Sequence, residues 1–304
     1  MLPLIHQWLG KLHMNSISYK RLLILTFSIF FCFYHNLLEP FKNSTNKSEY
    51  ITIAILAKDK AHTLPLYLHC IEQQTWPKYK TYLYIRTNNN SDETIEILQN
   101  WITRVGSKYA KIYFDDTDVD ETIEQFGQHE WNYTRLRILG KIRQDSIDWA
   151  YRRNSHYFVA DCDNFIYPDT LQSMVDSNQP IVAPLLLCNS KPLYSNYHYA
   201  IDCNGYYAQS IMYYHVLNQD IRGLIEVPVV HCTYFIRHEV LDKVTYDDDS
   251  WRYEYVIFSD SARKNNIPQY IDSRKVYGYI SFAENSQEFN HEPFIDLFAK
   301  QPCN

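Results

Sequence analysis

Residues 156–171 read HYFVADCDNFIYPDTL. An apolar run of strand length, Tyr157 to Ala160, stops on two carboxylates one residue apart, Asp161 and Asp163. A run without polar interruption suits a strand buried on both faces, as in a parallel sheet covered by helices. Like charges this close repel, and each loses hydration on burial, so the pair needs a positive charge or solvent to compensate it. An acidic turn of this kind suits a hard divalent cation, because carboxylate oxygens match magnesium or manganese and leave coordination positions open. A cation held there would neutralise a departing diphosphate. Taken alone, D-x-D is also the sequence of an ordinary solvated turn.

The residues upstream supply the context. YITIAILA (50–57) has the composition of a buried strand, and TLPLYLHCIEQQ (63–74) has helical spacing with a proline early enough that its missing N–H is harmless. KTYLYIRTNNN (80–90) is a second strand, and DETIEILQNWITRVG (92–106) a second helix, capped by Ser91 or Asp92 and closed by Gly106. AKIYFDD (110–116) is a third strand, and NYTRLRILGKIRQDSIDWAYRR (132–153) a long helix leading into HYFVA, the fourth. This β-α-β-α order predicts an α/β fold with a mostly parallel, Rossmann-like sheet flanked by helices. Open sheets of this class bind ligands beyond the carboxyl ends of their strands, where AKDK, RTNNNSDET and DCDN would converge. After Pro180 the pattern is less regular, no repeat is visible, and residues 50–304 are expected to form one domain.

Bulk properties narrow the function. A net charge of −6 over 304 residues excludes a polycationic footprint, so nucleic acid is not an expected partner. Only 7 glycines, with neither G-x-G-x-x-G nor a Walker-type run, exclude a glycine-rich phosphate cradle. Near the N-terminus, Lys11, Lys20 and Arg21 precede an apolar run from Leu22 to Leu38, about 25 Å of helix. Without an A-x-A cleavage site it reads as an uncleaved signal anchor (22–38) after a cytoplasmic tail (1–21) and before a polar stem (39–49); a cleaved signal peptide and a buried helix are the alternatives. The expected location is single-pass type II in the ER or Golgi membrane, the domain facing the lumen. Sequons at Asn43, Asn46, Asn89 and Asn132 agree with that compartment, and the 7 cysteines, without metal-type C-x-x-C spacing, leave room for one or two disulfides.

Several collinear stretches carry a resemblance. ITIAILAKDKAHTLPLYLHCIE, TNNNSDETIEIL, YFVADCDNFI, IVAPLL with YSNY and GYY, RGLIEVPVVHCTYF, and VYGYI follow one another over residues 51–283 as in the N-terminal domain of procollagen galactosyltransferases, which this chain resembles. The resemblance implies a GT-A fold, a UDP-sugar donor, a manganese ion, and transfer of galactose to hydroxylysine of collagen-like chains. It also implies that Asp161 and Asp163 form the metal and sugar-nucleotide motif. Ala57, Lys58 and Asp59 would line the uridine pocket, and Asn88 and Asp92 would reach base and ribose.

His231, in VPVVHCTYF, becomes a candidate for the metal or the diphosphate, the alternative being a satisfied core histidine. Arg135 and Arg143, eight apart on one helix, are candidates for phosphate contact, with a solvated face the stronger alternative for Arg143. Asn196, Tyr206 and Tyr207 lie in a tyrosine-rich segment suited to stacking a sugar. Transfer from a UDP-α-sugar to a β-linkage is inverting and requires one carboxylate base. Where the family has a Trp and then an aromatic followed by two acids, this chain has SWRYEYVIF, so Glu254 is the candidate base and Tyr255 stands at the second acid. Asp247, Asp248 and Asp249 are the fallback, though three acids in a row usually form a solvated turn.

The family enzymes continue into a second transferase domain and an ER-retrieval signal, whereas this sequence ends QPCN and would rely on its anchor for retention. The expected activity is therefore metal-dependent transfer of galactose or glucose from a UDP-sugar to hydroxylysine or a related glycan. A non-catalytic GT-A module that binds nucleotide sugar or glycan, and a nucleotide-sugar hydrolase, are the alternatives.

Overall fold

The computed structural model describes residues 49–119, 133–290 and 292–294. The proposed tail and anchor, most of the stem, the sequons at Asn43, Asn46 and Asn132, and Cys32 and Cys303 lie outside the described residues. Among the described residues no helix is long and apolar enough to cross a membrane. Ser48–Asn304 forms one compact unit.

Four strands built from the apolar runs open the fold: β1 (Ile51–Ala57), β2 (Thr81–Thr87), β3 (Lys111–Asp115) and β4 (His156–Ala160). They lie parallel in the order β3-β2-β1-β4, joined by helices α1 (Leu64–Glu72), α2 (Thr94–Val105) and α3 (Tyr133–Tyr151). The chain moves outward from β1 to β3 and then returns to its other side, so strand order reverses between β1 and β4, where such sheets bind ligands. Side-chain alternation along buried strands divides the core in two. Ile51, Ile53, Ile55, Phe158 and Ala160 pack with α1, α2 and α4 (Thr170–Asp176). Ala54, Tyr157 and Val159 pack on the other face with α3, α5 (Ile211–Leu217) and α7 (Glu254–Lys264). In α2 the buried residues Thr94, Leu98, Trp101 and Val105 form a stripe at spacings of four, three and four, the 3.6-residue period in its plainest form.

The second half completes one sheet of eight strands. Beyond β4 come β13 (Thr233–Ile236), β6 (Ile181–Pro184), β14 (Gln269–Asp272) and β11 (Leu224–Val227). β13 is antiparallel to both β4 and β6, and β11 is antiparallel to β14, so the sheet is mixed, with six strands running one way. α6 (His238–Leu241) follows β13 directly.

A small sheet of β5 (Asn164–Ile166), β15 (Gly278–Ile280) and β7 (Leu186–Cys188) lies immediately after the acidic turn. It grips that turn, because the Ser281 amide donates to the Asp163 carbonyl at 2.8 Å. Gly278, with φ +156°, is required here: a Cβ would fall 2.1 Å from the Phe165 carbonyl oxygen. Two-stranded pairs join β8 (Tyr197–His198) to β12 (Val229–Val230) and β9 (Ala200–Ile201) to β10 (Tyr207–Ala208).

The five described cysteines, Cys70, Cys162, Cys188, Cys203 and Cys232, are all free, so disulfides permitted by composition do not form among them.

Candidate active site

The aspartate pair lies at the carboxyl end of β4, partly exposed, with Cys162 between them turned inward to donate to the Leu56 carbonyl at 3.3 Å. Each carboxylate meets a protein cation. Arg143 Nη2 donates to Asp161 Oδ1 at 2.7 Å, and Lys60 Nζ donates to Asp163 Oδ2 at 2.8 Å. The positive charge demanded by the sequence is thus partly supplied from within the chain.

Sequence spacing placed Arg143 on a solvated face and favoured Arg135, and the structure reverses that order for Arg143. Arg143 is 7% exposed and reaches the site from the middle of α3, while Arg135 is half-buried two helical turns nearer the helix start. The same guanidinium faces a second acid, its Nε lying 3.4 Å from Glu254 Oε1. Nε and Nη1 have no hydrogen-bond partner among the described residues, so this second contact is charge proximity without bond geometry. One planar cation therefore lies between the donor-side Asp161 and the candidate base.

Glu254 is not a surface residue. It opens α7 with 7% exposure and packs against α3 beside Gly140, whose missing Cβ makes room for the Tyr246 carbonyl, 3.0 Å from where that atom would stand. Burial raises the Glu254 pKa, opposed by the Arg143 charge and by the amides of Glu254 and Tyr255 at the helix start. A carboxyl held between these influences suits proton exchange with a bound hydroxyl.

His231 arrives through β13. The antiparallel pairing of β13 with β4 brings the preceding loop alongside the acidic turn, and the Asp161 amide donates to the Cys232 carbonyl at 3.0 Å. Burial, reinforced by His198 and Arg143, lowers the His231 pKa well below its ordinary value, so the ring is neutral. Its Nδ1 lies 2.9 Å from Cys232 Sγ and its ring packs against Tyr255 and His198. Among the described residues no group of three His, Cys, Asp or Glu is arranged to hold a metal ion. His231 thus borders the carboxylate pair without completing a protein cage.

The loops after β1 and β2 hold each other. Ala57 ends β1 in the core, and Lys58 is half-buried. Asp59, at φ 51°, accepts from the Ser91 amide at 2.6 Å and from its hydroxyl at 3.0 Å, while its own amide donates to Asn90 Oδ1 at 2.9 Å. Asp92 uses both carboxylate oxygens on backbone, from Thr94 at 3.0 Å and from Ala61 at 2.9 Å. The N-cap position is Glu93, one residue later than expected, and Asp92 closes a turn onto the first helical amide from just outside the helix while reaching across to the first loop. Asn88 is buried and donates to Asn89 Oδ1 at 2.9 Å. Asn89 also receives the Val119 amide on Oδ1 and donates to the Val119 carbonyl, so this sequon side chain ties two strand ends together. Asp59, Asn89 and Cys232 all adopt left-handed backbone around the crevice, the kind of strain that gathers at functional sites.

An aromatic wall continues from His231. Tyr255 packs edge-on against His198 and stacks with Tyr253, which meets Tyr206; His198 in turn contacts Tyr207. Asn196 is structural, donating to the Pro184 carbonyl at 2.8 Å and accepting from the Leu186 amide at 3.1 Å. Asp247, Asp248 and Asp249 form an exposed turn in which Asp248 pairs with Arg252, so the fallback base lies away from the buried carboxyl cluster.

Lys60, Cys232 and His198 were not singled out from sequence. AKDK offered two lysines, and only the fold shows that the second reaches across to β4.

Sheet order, crevice and acidic turn together define a mixed α/β glycosyltransferase fold of the GT-A type. In agreement, the structure superposes on S. aureus TarS 1-349 in complex with UDP-GlcNAc with a TM-score of 0.50 at 14% identity, covering 82% of this chain and 64% of that one. The chain belongs to glycosyltransferase family 25, whose N-terminal domain is matched by residues 48–297. It is similar to human procollagen galactosyltransferase 2 (32% identity over 250 residues, 79% of this chain and 40% of the relative). Similarity extends to zebrafish (Danio rerio) procollagen galactosyltransferase 1 at 30% over 258 residues, 81% of this chain and 42% of that one. The human inactive glycosyltransferase 25 family member 3 is 27% identical over 248 residues, 78% of this chain and 41% of that one. The chain thus spans about two fifths of the length of these relatives.

Proposed function

We propose that this chain is an inverting glycosyltransferase that moves galactose or glucose from a UDP-sugar to hydroxylysine of a collagen-like protein or to a related glycan, anchored by residues 22–38 with its catalytic unit in the ER or Golgi lumen. The observation that carries the reading is a single buried guanidinium, Arg143, shared by Asp161 of the acidic turn and by Glu254.

Glu254 takes the proton of the acceptor hydroxyl as its oxygen bonds to the anomeric carbon. The bond from that carbon to the diphosphate breaks, UDP departs with the electron pair, and configuration inverts. Arg143 holds Glu254 and Asp161 in fixed relation. The aromatic wall offers the acceptor stacking faces and excludes water. Asp161 and Asp163 suit a hard divalent cation such as manganese or magnesium. Each keeps one oxygen outside its ion pair, and the donor's own oxygens and water would complete the shell. When bound, that ion would supply Lewis-acid stabilisation of the departing diphosphate.

The test is a screen of UDP-galactose and UDP-glucose with the purified full-length chain, with and without Mn2+, following release of UDP. Mn2+-dependent release is expected with one of them, and Asp163→Ala should reduce it to background while the protein melts as wild type. Absence of both turnover and UDP-sugar binding would refute the reading. A second reading, a non-catalytic module that binds donor or glycan, is favoured by Tyr255 at the position of the family's second acid and by the relative named inactive. Donor binding without turnover would select it.

A further inference from the structure

Lys60 is held in a way that the uridine-pocket reading of AKDK does not account for. Its backbone is pinned on both sides: the amide donates to Thr94 Oγ1 at 2.7 Å, and the carbonyl accepts from the amides of Thr63 at 3.1 Å and Leu64 at 2.9 Å. From that bonded backbone the side chain spans from the end of β1 to the end of β4 and puts Nζ on Asp163 Oδ2 at 2.8 Å. Both side chains are about a quarter exposed, so the pair borders the crevice. The Arg143–Asp161 contact differs in kind, since the Arg143 side chain is buried in the protein, whereas that of Lys60 reaches solvent. Of the two cations that face the aspartates among the described residues, Lys60 is the more exposed and so the one with room to exchange. An ammonium on Asp163 opposes a divalent ion at the same carboxylate by direct repulsion. Once that ion arrives with a diphosphate, the new anion offers the ammonium a second seat.

We propose that Lys60 is a tethered counter-ion that competes with the divalent cation for Asp163 and moves onto the diphosphate of the donor, so that cation and nucleotide bind together rather than the cation alone. This rests on the reading of the aspartate pair as the donor site. By linkage, the factor by which nucleotide tightens cation binding equals the factor by which cation tightens nucleotide binding. Lys60 raises that factor by weakening the cation-only state.

The experiment titrates Mn2+ into the full-length chain by electron paramagnetic resonance, which reads free Mn2+ without any turnover, in the absence and presence of UDP. Lys60→Met, close in length and without charge, should bind Mn2+ alone about ten-fold more tightly, and its coupling to UDP should fall about ten-fold. Lys60→Arg keeps the charge and should keep the weak cation-only affinity. Wild-type behaviour of Lys60→Met, or tightening in Lys60→Arg as well, would overturn the role of the Lys60 charge while leaving the donor site standing. A wild-type chain that binds neither Mn2+ nor UDP would instead overturn the donor-site reading on which the proposal rests.

Discussion

Replacing Arg143 by methionine keeps the length of the side chain and removes the charge on which Asp161 and Glu254 both depend. In the native protein that guanidinium lies 2.7 Å from Asp161 Oδ1 and 3.4 Å from Glu254 Oε1. Breaking a buried ion pair from one side costs about 3–5 kcal/mol, because the remaining charge stays buried without compensation. A domain of this size loses about 2–4 °C of Tm per kcal/mol, so a fall of about 6–20 °C at neutral pH is expected. The pH dependence gives the sharper check. Burial already raises the Glu254 pKa above its ordinary 4.5, and Arg143 opposes that rise. Without Arg143 the folded-state pKa climbs further. The native state of the variant then binds more protons than the unfolded chain above pH 4.5, and stability falls as pH rises through that window. Thermal melts should therefore show a larger deficit at pH 7.5 than at pH 5. Arg143→Lys should recover part of the loss, and adding Glu254→Gln to Arg143→Met should recover more, because the stranded charge is gone. An Arg143→Met protein that melts as wild type at pH 7.5, or whose deficit is the same at both pH values, would refute the claim that this cation compensates the two acids.

Two other expectations follow from the same geometry. Glu254→Gln should lower transfer by about 10²–10⁴-fold and leave UDP affinity within a few-fold, measured by product formation and by calorimetry; unchanged transfer would assign proton removal elsewhere. Gly278→Ala forces a Cβ to 2.1 Å from the Phe165 carbonyl on a positive-φ backbone, so β15 must part from β5; a loss of at least about 2 kcal/mol by denaturant melt is expected, and a neutral effect would discount the close approach.

Much of the framework is legible in the sequence. The runs that become β1, β2, β3 and β4 are bounded by turn residues and separated by helical periods, so both the parallel half-sheet and the place of Asp161 and Asp163 beyond its edge follow from local pattern. Asp92 is legible only to within a residue: local chemistry puts an acid at the helix start, where its carboxylate takes the Thr94 amide, but the N-cap itself is Glu93. Arg143 was misread for a definite reason. Its helix is amphipathic only weakly, and a charged residue is assigned to solvent unless a partner is known. That partner, Asp161, lies 18 residues on, at the far end of the following strand.

The amino-acid pattern alone determined an α/β fold with an acidic turn at the end of a buried strand, because burial and period are properties of neighbouring residues. Only the tertiary structure decided which charges answer that turn. Lys60 reaches Asp163 because β1 and β4 are adjacent strands, although 103 residues separate the two. His231 comes alongside because β13 enters the sheet antiparallel to β4, an insertion that local periodicity does not announce. Glu254 is buried because α7 packs its first turn on α3, beside Arg143. Electrostatic partnership depends on distance in space, and distance in space is set by strand order and helix packing, which local composition does not encode.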